Sequence, residues 1–123
     1  MKRAALAGVI AAVATAGSGP ASAGQTTALG VRADEWSLIL SRPSVSPGNA
    51  EIQYQNYGED PHDLRIRRRG GSRVHSIAEL EPAGVGELDL RLKRDSRYVM
   101  WCSVLDGKHR TLGMEAELRV KRR

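Results

Sequence analysis

Cys102 is the only cysteine in the chain; six residues separate it from His109, four more lead to Met114, and His62 lies forty positions upstream. A thiolate, two imidazoles and a thioether form a selective donor set. Zinc would accept the thiolate and the imidazoles but gains little from methionine. Magnesium and calcium demand oxygen ligands, which the set lacks. Two histidines and a cysteine with a weak axial methionine suit a type 1 copper ion that exchanges single electrons. The competing reading of the lone cysteine is a small, buried apolar side chain. A Cys–His nucleophile would also need an orienting group and a substrate cleft, for which a small sandwich has little room. No enzyme is expected, and the one further histidine, His75, matches no motif position and reads as structural or solvated.

These residues act together only if strands bring them to one end of the fold. Alternation at period two recurs along the chain. "EIQYQN" sets Ile52, Tyr54 and Asn56 on one face, "LRIR" sets Leu64 and Ile66, "ELDLRLK" sets Leu88, Leu90 and Leu92, and "ELRVK" sets Leu118 and Val120. "EWSLILS", before Pro43, reads as a more uniformly apolar strand. Turn chemistry separates the strands at "SPGN", "NYGEDP", "RGGS" and "EPAG". Only "SIAEL", Ser76 to Leu80, has the composition for a short helical turn. The pattern predicts an all-β sandwich or barrel. Within it, Cys102 shares parity with Tyr98 and Met100, and His62 with Leu64 and Ile66, so both point inward. His109 and Met114 fall in the loop between the cysteine strand and the last strand, where the four side chains can converge.

The first residues read as a leader rather than as part of this domain. Lys2 and Arg3 precede an uncharged run from Ala4 to Ala16, and "ASA" marks cleavage after Ala23. That run is shorter than the ~20 residues that span a bilayer, so export without membrane insertion is expected. Residues 24–34, small and polar, read as a linker, and 35–123 as one domain. Loss of Lys2 and Arg3 removes two charges from the net +5. So small an excess, with arginines alternating among apolar residues, argues against nucleic acid as a partner; "RIRRR", Arg65 to Arg69, reads as a solvated strand face. Trp36, Tyr54, Tyr57, Tyr98 and Trp101 read as core and rim rather than as a stacking platform for bases. One cysteine can form no internal disulfide, and an exported thiol that is neither buried nor bound is open to oxidation.

On two segments the chain resembles the cupredoxins, the plastocyanin- and azurin-like small blue copper proteins. "SVSPGNAEIQYQNYGEDPHDLRI" is similar to the family's glycine turn, core strand, "N-x-G" loop and first histidine ligand. "DSRYVMWCSVLDGKHRTLGMEAELRV" is similar to its Tyr-x-x-x-Cys strand, ligand loop and closing strand. The resemblance implies a cupredoxin-like Greek-key β-sandwich holding one copper ion, with His62, Cys102 and His109 equatorial and Met114 axial. It implies a monomeric electron carrier of the periplasm or cell exterior, with an exposed edge on its second histidine. Lys108 and Arg110 flank that histidine and would steer an acidic redox partner. Two departures stand out: the six residues between Cys102 and His109 exceed the usual spacing, and Asp63 follows the first histidine where asparagine is common. Copper carriage or sequestration without electron transfer shares every ligand and is the main alternative; a metal-free immunoglobulin-like binding module is the third reading.

Overall fold

The computed structural model describes residues 25–123; the expected leader, residues 1–23, lies outside them. Among the described residues, nine strands form a two-sheet β-sandwich, of the all-β class that the alternation predicts. One sheet runs β2 (Ser37–Leu40), β1 (Thr27–Asp34), β4 (Gly48–Asn56), β7 (Val85–Leu92). The other runs β3 (Ser44–Val45), β9 (Glu115–Val120), β8 (Ser96–Trp101), β5 (His62–Arg68), β6 (Val74–Leu80). Both sheets are mixed: β1 lies parallel to β4 and β3 parallel to β9, and the remaining pairs are antiparallel.

Inward positions of both sheets meet in one core that includes Leu29, Val31, Ile52, Tyr54, Leu64, Ile66, Met100 and Leu118. Each lies on the parity its strand predicts, since consecutive side chains leave a strand on opposite faces. In a chain without phenylalanine, Tyr54 fills the centre, and its buried hydroxyl donates to the Asp63 carbonyl at 2.9 Å. That bond satisfies the polar atom a tyrosine carries inward and ties the core to the residue beside His62.

Three expectations are corrected. Residues 27–34 are not a linker: they form β1, held between β2 and β4, with Leu29, Val31 and Ala33 buried. The small residues have weak strand preference, but pairing on both sides and burial of one face override it. "SIAEL" is not helical; it belongs to β6, where Ile77 pairs with Leu64 and Leu80 with His62. The free edge of β5 captures it. The "EWSLILS" strand starts only at Ser37 and buries Leu38 alone, with Ile39 exposed and Glu35–Trp36 forming the turn from β1.

Candidate metal centre

The donors gather at one end of the sandwich. His62 is the first residue of β5 and Cys102 follows the last residue of β8, strands that are antiparallel neighbours. Both side chains are fully buried, as parity requires. His109 comes from the intervening loop, which is a compact structure rather than an open excursion. The chain turns through left-handed backbone at Leu105, Asp106 and Gly107, then forms helix α1 (Lys108–Leu112). Main-chain bonds close this segment on itself: Gly107 N–H donates to Ser103, Thr111 to Gly107 and Met114 to His109, and Cys102 N–H donates to Met114. The long spacing is therefore taken up by one turn and one short helix. It delivers His109, 1% exposed, and the fully buried Met114 back to the cysteine.

The ring Nδ1 atoms of His62 and His109 are 3.1 Å apart, and they lie 3.8 and 3.6 Å from the Cys102 Sγ. A triangle of those sides has its centre about 2 Å from every corner, the length of a metal–nitrogen bond. Two imidazole nitrogens facing each other across this gap in the protein interior are what a shared cation would satisfy. Of the predicted site residues, His62, Cys102 and His109 are brought together directly. Met114 is tied to two of them by the backbone bonds above. His75 lies apart on β6, half-buried.

The electrostatics suit a metal rather than a free thiol. Burial pushes the Cys102 thiol up to about 11, against the opposing pull of the Val104 and Asp63 backbone N–H groups. Such a thiol is inert unless a cation displaces its proton. Burial, reinforced by His62, also lowers the pKa of His109, leaving it neutral as a ligand must be.

Asp63 ties the two loops together. Its Oδ1 accepts the Ser103 backbone N–H at 2.6 Å and its Oδ2 accepts the Ser103 hydroxyl, joining the residue after His62 to the residue after Cys102. Both partners are donors, so a carboxylate serves without needing to donate.

Two expectations about the rim change. His109 presents no exposed edge: the Trp36 ring stands against it, with centroids 4.7 Å apart, and edge-on to His62 at 6.3 Å. Gly113 makes that packing possible. At φ +130 it adopts a backbone that favours glycine, and a Cβ there would come within 2.6 Å of the Trp36 carbonyl. Arg110 is not free beside His109, because its guanidinium grips Glu115 at 3.0 and 3.3 Å and covers the Trp101 ring. Lys108 remains exposed.

Sequence reasoning missed Glu35. Its Oε1 lies 3.3 Å from the buried His62 Nε2 and accepts backbone N–H bonds from Glu59 at 2.8 Å and Asp60 at 2.6 Å. Partial burial would raise its pKa, but the N–H groups of Asp60 and Glu59 outweigh that and hold the carboxyl below the usual range. No local motif could reveal a contact made across 27 residues of chain.

No family model matches the sequence, and no curated protein does. Solved structures match the fold. Auracyanin B superposes with a TM-score of 0.61 at 16% identity, over 77% of this chain and 88% of its own. Auracyanin A, a "blue" copper protein from Chloroflexus aurantiacus, gives 0.63 at 12% identity, over 79% of this chain and 100% of its own. A blue copper oxidase from Nitrosomonas europaea gives 0.57 at 15% identity, over 79% of this chain but only 39% of its own. The fold is that of the cupredoxins. In fold and in its His–Cys–His cluster the chain resembles the small blue copper proteins. The donors fit a single type 1 copper ion.

Proposed function

We propose that the chain is an exported copper protein that passes single electrons between redox partners, with His62, Cys102 and His109 as equatorial ligands and Met114 as the axial one. The burial of all four side chains, none more than 1% exposed, carries this reading. Copper supplies the one-electron couple when bound. The chain's part is to present two neutral imidazoles and a thiolate in fixed positions, exclude water and resist rearrangement. His62 and Cys102 are anchored on adjacent strands, and the loop bonds hold His109 and Met114. A rigid site changes little between oxidation states, which favours fast electron exchange.

Copper carriage is less well supported, because handing over a metal requires an accessible ligand. Partner approach fits the end of the molecule around α1. There, exposed Lys108 provides positive charge for an acidic partner, and exposed Leu105 and Leu112 provide apolar contact. Trp36, half-buried against both imidazoles, is the aromatic group between them and the surface. Electron transfer needs no substrate cleft, so the small size of the domain is no obstacle.

The test is the visible spectrum after adding Cu(II), recorded for the protein and for Cys102→Ser. An intense thiolate-to-copper charge-transfer band is expected in the first and none in the second. A colourless protein that binds Cu(I) tightly would support carriage instead, and failure to bind either ion would overturn both readings.

A further inference from the structure

Glu35 has no part in the ligand set, yet it occupies a distinctive position. His62 Nε2 is buried and has no hydrogen-bond partner among the described residues. Its Nδ1 faces Cys102 and His109, so serving as a ligand there requires the ring proton to sit on Nε2. The polar atom standing over that nitrogen is Glu35 Oε1, at 3.3 Å.

The carboxylate is held there by the loop that leads into His62. Backbone N–H groups of Glu59 and Asp60 both donate to Oε1. Gly58 leaves the space it occupies, since a Cβ at that position would collide with both carboxylate oxygens. Asn56 shapes the same loop: its side-chain carbonyl accepts the Gly58 N–H at 2.8 Å, and its amide donates to the carbonyls of Asp60 and Leu80. An anion has thus been built into the turn between β1 and β2 and pressed against the outer nitrogen of a ligand candidate.

We infer that Glu35 is a positioning residue for the metal centre, acting through His62. Resting on the copper reading above, its role is to place a negative charge beside the Nε2 edge of the ring, 3.3 Å away, which favours the tautomer protonated there and leaves Nδ1 free. A carboxylate behind a metal-bound imidazole raises the ligand's basicity and orients the ring. The charge favours Cu(II) over Cu(I), so it lowers the reduction potential.

Three variants separate this role from a merely structural one. In Glu35→Gln, the amide oxygen can still accept the Glu59 and Asp60 bonds, so the loop is kept and only the charge is lost. Cu(II) affinity should fall about tenfold while Cu(I) affinity changes less. If Cu(I) affinity were unchanged, that ratio would equal a rise of about 59 mV for one electron. Glu35→Ala should move the potential in the same direction and further. Gly58→Ala leaves Glu35 in the chain but displaces its carboxylate, and should also raise the potential. Nitrogen NMR of His62 in the metal-free protein gives a readout independent of copper. The Nε2–H form should dominate in the wild type, and the Nδ1–H form should gain population in Glu35→Ala.

A blue wild type whose potential and Cu(II)/Cu(I) affinity ratio are unmoved by Glu35→Gln and Gly58→Ala would overturn the assignment. A wild type without the charge-transfer band would instead overturn the copper reading. The tautomer measurement would then still decide the Glu35–His62 contact, and an unchanged tautomer in Glu35→Ala would refute it.

Discussion

The two imidazoles that meet at the site are held by different means. His62 begins a strand whose residues pair with β6 and β8, and its ring is backed by a carboxylate from the opposite sheet's turn. His109 rides on a five-residue helix inside a loop, held by bonds that close within that loop and by the Trp36 ring. One donor is positioned by the sheet and the other by a short segment that needs little from the sheet beyond its two ends. A loop closed on itself can lengthen without moving its ends, which is how six residues fit between Cys102 and His109. The strand-borne histidine has no such latitude, since a one-residue slip would turn it to the other face.

Substitutions on each side sharpen this contrast. The largest effect is expected from Gly113→Ala, on the loop side. It combines a backbone conformation that costs about 1–3 kcal/mol for an ordinary residue with a collision against the Trp36 carbonyl. Melting should drop by at least several degrees, at ~4–8 °C per kcal/mol for a domain of this size. The charge-transfer band should weaken or shift as His109 moves. An unaltered band and melting temperature would show that the loop is not held where Trp36 and Gly113 meet.

A smaller effect is expected where the two supports join. Asp63→Ala removes both Ser103 acceptors, and denaturant titration of the metal-free protein should show a loss of about 2 kcal/mol, typical of hydrogen bonds to a charged group. Asp63→Asn keeps an acceptor for the Ser103 N–H, while the hydroxyl can turn to accept, so it should cost less than half as much. Equal losses in the two variants would mean that the carboxylate charge, rather than the bonds, joins the loops.

The smallest effect lies at the surface of the loop side. Lys108→Glu should slow electron exchange with an acidic partner at low ionic strength and leave the rate unchanged at high salt, where such charges are screened. Rates that do not depend on salt would remove Lys108 from the docking surface. Neither stability nor the visible band should change.

What could be read in advance divides along similar lines. Parity placed His62 and Cys102 inside because alternation is a local property that folding preserves when one face is buried. The donor types pointed to copper because few metals use thiolate, imidazole and thioether together. Strand β1 went unread because Ala28, Gly30 and Ala33 carry little strand signal, and its place is decided by β2 and β4 on either side. Helix α1 was missed because it depends on the left-handed turn at 105–107 and on closure against Met114. Glu35 was invisible for the same kind of reason: its meaning lies in the loop at 58–60 and in a ring nitrogen far along the chain. Arg110 looked free in the sequence because nothing marked Glu115 and Trp101 as its neighbours.

The position of the first histidine has one more consequence. His62 and Cys102 are 40 residues apart, and copper shared between them cross-links that length of chain. On the chain-entropy account, a covalent bridge closing a loop of this size stabilises by about 4 kcal/mol. A domain with one cysteine has no disulfide to make such a bridge. A copper ion held by these donors would also serve as a clasp, so copper supply would bear on how long the folded chain survives.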